Sequence, residues 1–316
     1  MSQPFSHVPV MAHEVVGLLA SVPGGVIIDA TVGGGGHAAL LLSEAPQIQV
    51  LGIDRDEVAV AAAQGVLQQF GERATVRQAR FDQIGDVAAA AGLPPGTVSG
   101  VLFDLGVSSV QLDEPDRGFS YRFDAPLDMR MDQSAGVTAA TLVNTLPEQA
   151  LAALFAANGE GRLARRIAAA VVAARPLTST GALASVVAQA VPAPARRRGH
   201  PARRVFQALR IAVNDELSVL ADALPLAIDL LAPGGRCVVI SYHSGEDRLV
   251  KATFWTAATG GCQCPPALPC VCGAVPVVRL LNRGARMPSA AEIATNHRAE
   301  SARLRAVERL PRGSDS

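Results

Sequence analysis

Three aspartates each close an apolar run, and their placement is the first sign of chemistry in this 316-residue chain. Asp29 ends Val26-Ile27-Ile28, Asp54 ends Val50-Leu51-Gly52-Ile53, and Asp104 ends Val101-Leu102-Phe103. Gly33, Gly34, Gly35 and Gly36 follow shortly after the first of them, and His37 comes next. A glycine run lets the chain turn sharply and lets a ligand approach the backbone closely. Carboxylates beside such a turn can accept hydrogen bonds from ribose hydroxyls or from an amine. An acid after a strand is also the ordinary cap of the next helix. That accounts for one of the three more readily than for all of them.

The elements that must position these acids follow from the apolar pattern. Val26 to Ile28, Val50 to Asp54, Ala74 to Gln78 and Gly100 to Gly106 read as strands. Met11 to Ala20, Ala38 to Leu42, Glu57 to Phe70 and Val87 to Ala91 read as helical stretches. Strands alternating with helices predict a parallel sheet with right-handed crossovers, which places the three carboxylates along one edge. After Ser109 the alternation stops. Gln111 to Asp132 reads as a loop rich in acids and aromatics, and Ala139 to Val191 as alanine-rich helices. A further helix runs to about Leu231, Pro233-Gly234 breaks it, and a fifth strand is expected over Gly235 to His243. One α/β domain with a helical insertion between its fourth and fifth strands is the simplest organisation. The boundaries fall at 1–112 with 213–316 for the sheet domain and 113–212 for the insertion.

Two cofactors suit the first turn. Gly33-x-Gly35-x-x-Ala38 matches the dinucleotide fingerprint, with Asp54 positioned to hold a ribose. Four consecutive glycines satisfy many patterns, however, so that match has little specificity. S-adenosyl-L-methionine needs a similar turn for its amino-acid and ribose portions, and Asp54 serves it equally well. Asp104, at the end of the fourth strand, favours the methyl donor without excluding a nicotinamide-dependent oxidoreductase.

Formal net charge is zero, so overall charge calls for no polyanionic partner. Its distribution is uneven. Arg196, Arg197, Arg198, Arg203, Arg204 and Arg210 cluster with His200 and without an acid, while Lys251 is the only lysine. Such a run can be a solvated helix face, but the guanidinium fork also binds phosphate bidentately. No apolar run approaches the roughly 20 residues needed to span a bilayer. No basic and apolar leader is evident at the N-terminus, and a cytoplasmic protein is expected.

The motifs then become more specific. Asp29-Ala30-Thr31-x-Gly33-x-Gly35-Gly36-His37, Gly52-Ile53-Asp54-Arg55-Asp56 and Asp104-Leu105-Gly106-Val107-Ser108-Ser109-x-Gln111-Leu112-Asp113 occur in order. Arg117-Gly118-Phe119-Ser120, Pro126-Leu127-Asp128-Met129-Arg130-Met131 and His200-Pro201-Ala202-x-Arg204-x-Phe206-Gln207-Ala208-x-Arg210-Ile211 follow. Ile240-Ser241-Tyr242-His243-Ser244-x-Glu246-Asp247-Arg248 and Ser301-Ala302-x-Leu304-Arg305 complete the set. The chain resembles the ribosomal RNA small-subunit methyltransferase H family, also called MraW, over nearly its whole length.

That resemblance implies a class I S-adenosylmethionine-dependent methyltransferase fold, Rossmann-like, carrying an all-helical inserted domain that recognises rRNA. It implies methyl transfer to N4 of cytidine 1402 in 16S rRNA, in the P-site region, with the small ribosomal subunit as partner. Cofactor contacts are implied at Gly35, Gly36, His37, Asp54, Phe81, Asp104 and Gln111. Three positions depart from the family pattern. Gly245 stands where a leucine is usual, which predicts a looser loop. Gly161 replaces an expected Glu, and Glu300 an expected Arg.

For the chemistry, Asp104 is the candidate to hydrogen-bond the amine, with Ser108 and Ser109 as lesser ones, and His243 could take a proton. A buried, satisfied histidine is the competing account of His243. Phe119 or Tyr121 could stack on a splayed cytosine, or could simply pack against the insertion. In this setting the arginine stretch, with Phe119 and Tyr121, is the expected RNA contact. Cys262, Cys264, Cys270 and Cys272 form a C-x-C…C-x-C arrangement that could bind structural zinc. Reduced unliganded thiols and disulfides remain the other two states open to them. A homodimer is compatible with the sequence, which leaves oligomeric state open.

Overall fold

The computed structural model describes residues 9–108, 111, 114–193, 200–265 and 271–311. Two compact units emerge, one of Met1–Gly106 with Leu217–Ser316 and one of Val107–Glu216.

The first unit is built on seven strands: β1 (Gly25–Asp29), β2 (Ile48–Asp54), β3 (Ala74–Gln78), β4 (Val98–Asp104), β5 (Leu231–Ser241), β6 (Val278–Leu280) and β7 (Arg303–Arg309). Their order is β3-β2-β1-β4-β5-β7-β6. β1 to β5 are mutually parallel, whereas β7 runs antiparallel to β5 and β6 antiparallel to β7. This is an open, Rossmann-like α/β sheet with an antiparallel edge.

Parallel strands covered on both faces need apolar side chains pointing both ways. Ile27, Val50, Leu102, Val238 and Ile240 enter one core, and Ile28, Leu51, Val101, Phe103 and Val239 enter the other. Helices α1 (Ala12–Leu19), α2 (Gly36–Glu44) and α3 (Glu57–Leu67) supply the first core with Val15, Leu19, Leu41 and Leu67. The second core takes Ile84 and Ala88 from α4 (Ile84–Ala90).

The second unit is helical, with α5 (Ala139–Thr145), α6 (Glu148–Phe155), α7 (Ala164–Ala173), α8 (Thr180–Ala190) and α9 (Ala202–Asn214). Its core includes Leu151, Phe155, Ile167, Val171, Leu183, Val205 and Leu209. The stretch expected as a loop is built into that core through Phe119, Leu127, Met129 and Met131. Arg117, only 4 % exposed, donates to the Arg130 and Met131 carbonyls. Gly118 has φ 74°, and a Cβ there would strike the Pro126 carbonyl. Asn214 donates to the Met129 carbonyl at 2.8 Å and accepts from the Met131 N–H at 2.9 Å.

The chain returns to the sheet unit through α10 (Glu216–Leu230), then α11 (Ser244–Thr259) and α12 (Ala290–Thr295). Leu220, Leu224 and Ile228 of α10, with Val250 and Phe254 of α11, complete the second core. Among the described residues no helix is long and apolar enough to cross a membrane.

Two expectations change here. Pro233-Gly234 does not separate helix from strand, because β5 already begins at Leu231. The break is absorbed as an irregularity within the strand, between the Val98↔Leu231 and Gly100↔Arg236 pairs, with Gly234 at φ 79°. Gly245 sits in the first turn of α11 rather than in a loose loop, with its N–H on His243 Nδ1 at 3.2 Å.

Candidate active site

Asp54, Asp29 and Asp104 close the adjacent parallel strands β2, β1 and β4, at the carboxyl edge where open α/β sheets bind ligands. Strand order reverses between β1 and β4, because the chain moves outward to β2 and β3 before returning. The glycine turn leaves β1 at that point.

The turn is held by backbone hydrogen bonds from Val32 N–H to the Ile53 carbonyl and from Gly35 N–H to the Val32 carbonyl. Gly33 and Gly35 adopt φ 51° and 84°, a region that side chains disfavour. A Cβ on Gly36 would come within 2.8 Å of the Pro9 ring. The conformation thus requires glycine at two positions by torsion and at a third by space. Its product is the start of α2, which no side chain caps. Its first N–H groups remain for a ligand, together with the partial positive charge of a helix N-terminus.

Asp54 is oriented by two backbone donors, Gly33 N–H at 3.0 Å on Oδ2 and Asp56 N–H at 2.9 Å on Oδ1. The helix cap that follows β2 is Asp56, which accepts from Val58 N–H, so capping does not occupy Asp54. Burial raises the Asp54 carboxyl to about 6 against the lowering by those two N–H groups. A carboxylate fixed from behind in this way can accept from a ribose diol. Asp29 is buried at 1 % exposure, and burial raises it to about 8, with further push from Asp104 and Asp54. Its Oδ1 accepts from Thr31 N–H at 3.3 Å. Asp29 is therefore largely a neutral acid at pH 7, while Asp54 is largely ionised.

Asp104 is tied into the same cluster. Its N–H donates to Thr31 Oγ1 at 2.6 Å, which joins the end of β4 to the turn after β1. Tyr242, one residue past β5, donates its hydroxyl to Asp104 Oδ1 at 2.7 Å. His37 Nδ1 lies 3.6 Å from Oδ2, and His37 Nε2 lies 3.0 Å from the Val10 carbonyl. Both ring nitrogens of His37 thus face protein groups, and its direct polar offering to a ligand is its backbone N–H in the first turn of α2. Burial raises the Asp104 carboxyl, His37 and the Tyr242 hydroxyl pull it down, and Glu246 pushes it up. The side chain keeps 24 % exposure and so stays reachable.

Phe81 begins the single turn Phe81–Gln83 after β3 and packs edge-on to Phe103, with centroids 5.7 Å apart. It is half-buried, and a flat ligand could lie against it. His243 caps α11. Its Nδ1 accepts from the Gly245 and Glu246 N–H groups, and its Nε2 faces Glu246 Oε1 at 3.1 Å. The ring is engaged in a capping box, which leaves a proton-accepting part in catalysis without geometric support.

The remaining sequence candidates divide between the helical unit and undescribed segments. Gln111 is buried, with Oε1 on the Ser108 N–H at 3.0 Å. Phe119 is a core residue with 9 % exposure, under the Arg117 guanidinium. Tyr121 is half-buried and stacks on His200 at 4.3 Å and 10°, with Phe206 edge-on at 5.7 Å. Arg203 is exposed on α9, and Arg204 donates to the Gly159 carbonyl at 3.1 Å. Arg210 gives its guanidinium fork to Glu216 at 2.8 and 2.9 Å. Gly161 occupies φ 52°, which a glutamate would reach only under strain. Cys262, Cys264 and Cys272 lie together, their sulfurs all within 4.8 Å of one another. Ser109, Arg196, Arg197, Arg198 and Cys270 fall outside the described residues.

Tyr242 and Thr31 are the members that the sequence left unassigned. Their signal was adjacency: one follows the strand beside β4, and the other sits two residues after Asp29.

The model of the MraW methylase family matches residues 4–310. Ribosomal RNA small subunit methyltransferase H of Heliobacterium modesticaldum is 49 % identical over 312 residues, covering 97 % of this chain and 99 % of that protein. The protein of the same name from Symbiobacterium thermophilum is 49 % identical, covering 99 % of each chain. That from Frankia alni is 52 % identical over 98 % of this chain and 97 % of its own length. With a strand-end acid cluster, an uncapped glycine turn and relatives matched end to end, the chain belongs to the MraW methylase family.

Proposed function

We propose that the chain transfers the methyl group of S-adenosyl-L-methionine to N4 of cytidine 1402 in 16S rRNA, within the small ribosomal subunit. The observation that carries this reading is the Asp104 carboxylate, fixed at 2.7 Å by Tyr242 beside the uncapped start of α2. The relatives' names, which refer to small-subunit rRNA, support the substrate class.

Bound S-adenosylmethionine supplies an activated sulfonium methyl. Gly33 to Gly36 and the first N–H groups of α2 would receive its amino-acid end, Asp54 its ribose and Phe81 its adenine. Cytosine N4 is a poor nucleophile, because its lone pair is delocalised into the ring. Positioning is therefore the main task of the protein. Transfer would leave the donor as a neutral thioether and release one proton from N4, so the chain's own part would be to align the amine and receive that proton. Asp104 would hold the amine by hydrogen bonding and take up that proton.

The helical unit would recognise rRNA. Tyr121 and His200 offer aromatic faces for a splayed base. Arg203 and Arg204, joined by Arg196, Arg197 and Arg198, would bind phosphates and so set register rather than base choice. Phe119 and Arg210 would support that unit from within. The enzyme would act in the cytoplasm, where its substrate is assembled.

Calorimetry with S-adenosylmethionine and with a nicotinamide dinucleotide tests the cofactor; binding of the dinucleotide alone would overturn the reading. Asp104→Ala in a folded protein should lower methyl incorporation into small subunits by on the order of 100-fold or more. Undiminished incorporation would remove Asp104 from the chemistry.

A further inference from the structure

The connector between α11 and β6 is the part of the sheet unit that the apolar effect does least to hold. No described residue from Gly260 to Val277 is buried, and Val271 and Val275 are 88 % and 72 % exposed. Proline and glycine dominate its composition. A segment of this length, none of whose described residues is buried, has no packing reason to bring those distant side chains together. Yet Cys262 and Cys264 at its start meet Cys272 near its end, with all three sulfurs within 4.8 Å of one another. Zinc–sulfur bonds of about 2.3 Å in a tetrahedron set sulfurs about 3.8 Å apart, so the cluster is close to a ligand set already.

The backbone on both sides is arranged to present these thiols. Gly260 and Gly261 end α11 with φ 62° and 73°, and Gly261 N–H returns to the Thr256 carbonyl at 2.9 Å. Cys262 N–H then bonds the Thr259 carbonyl at 3.2 Å, which fixes the first thiol against the helix end. A Cβ on Gly260 would collide with the backbone of Val275, so the returning chain crosses close over the helix cap. Val277 N–H bonds the Ala257 carbonyl at 2.9 Å immediately before β6 begins. β6 is the outermost strand of the sheet and pairs only with β7. The connector therefore decides how firmly that edge is held.

We infer that Cys262, Cys264 and Cys272 bind one zinc ion whose role is to close the connector and anchor the edge strand β6. Thiolates are the donors that a thiophilic divalent ion selects. The inference goes beyond the methyl-transfer reading and stands or falls independently of it.

The test uses the full chain purified without added metal or chelator. Plasma emission spectrometry should find one zinc per chain in the wild type. Cys264→Ser and Cys272→Ser should lose it, while Cys237→Ser, at a strand cysteine in the core, should keep it. Hydrogen exchange at Val278 to Leu280 should accelerate in the metal-free variants, with the circular dichroism of the sheet and helices retained. Zinc-free wild type whose cluster thiols all react at once with a thiol reagent would overturn the inference. Intact mass showing a disulfide within the cluster would overturn it too, as would zinc kept by the Cys264→Ser, Cys272→Ser double variant.

Discussion

Asp104 accepts a hydrogen bond from Tyr242 and has the His37 ring beside it, and on the proposed reading the balance among these neighbours sets the pH at which it works. Burial raises its carboxyl, with Glu246 adding to the push, and Asp29 is a second acid coupled to it. His37 and the Tyr242 hydroxyl oppose that rise. In Tyr242→Phe one of the two is lost with almost no change in shape, so the Asp104 carboxyl must move further up. The carboxylate form then appears only at higher pH, and the acid limb of kcat/KM against pH moves to higher pH. Above that limb the rate should approach the wild-type plateau, and cofactor affinity should change little. A limb that stays in place would show that Tyr242 only packs. At this scale the acids were legible, because each ends an apolar run of strand length. Tyr242 was not, because its meeting with Asp104 depends on how β5 pairs with β4, which residue types do not encode locally. His243 was legible as a polar residue at a strand end, but its capping geometry could be read only from the turn into α11.

At the scale of elements, the helical unit separates residues left exposed to solvent from residues that hold the unit together. α9 buries Ala202, Val205, Phe206, Ala208 and Leu209 and leaves Arg203 exposed. Arg203→Ala should weaken rRNA binding, with the slope of log affinity against log salt falling by about one, while S-adenosylmethionine affinity is unchanged. A filter-binding titration at several salt concentrations reads both, and an unchanged slope would contradict a phosphate contact. At the end of the same helix, Asn214 satisfies the Met131 N–H and the Met129 carbonyl. Asn214→Ala leaves buried backbone groups unpaired, at a cost of about 2–4 kcal/mol. The urea midpoint of the transition that reports the helical unit should fall accordingly. The loop reading of Gln111 to Asp132 went only part of the way: the irregular backbone was legible from its prolines and glycines. Its burial was harder to see: Leu127, Met129 and Met131 do alternate with a strand's period, but Pro126, Asp128 and Arg130 between them and the acids before them mark the stretch as a loop.

Across the whole molecule, one long insertion interrupts a parallel sheet and the chain then resumes it. The alternation of apolar runs with helices made β1 to β4 legible, since parallel strands buried on both faces are short and continuous. The antiparallel edge of β7 and β6 was harder to see. Val278–Leu280 is too short to form a pattern, and Arg303–Arg309 alternates arginines with apolar residues in a way that equally suits a polar helix. Its arginines find partners only in the folded state, Arg305 on Asp247 at 2.7 Å and Arg303 on the same carboxylate at 3.1 Å. On the proposed reading, the sheet edge at Asp29, Asp54 and Asp104 is the seat of methyl transfer and the insertion chooses the target. The most direct test is methyl transfer to purified small ribosomal subunits lacking the modification, followed by nucleoside mapping of the rRNA. The label should appear as N4-methylcytidine at position 1402 of 16S rRNA; label on another atom or another nucleotide, or none at all, would contradict the account.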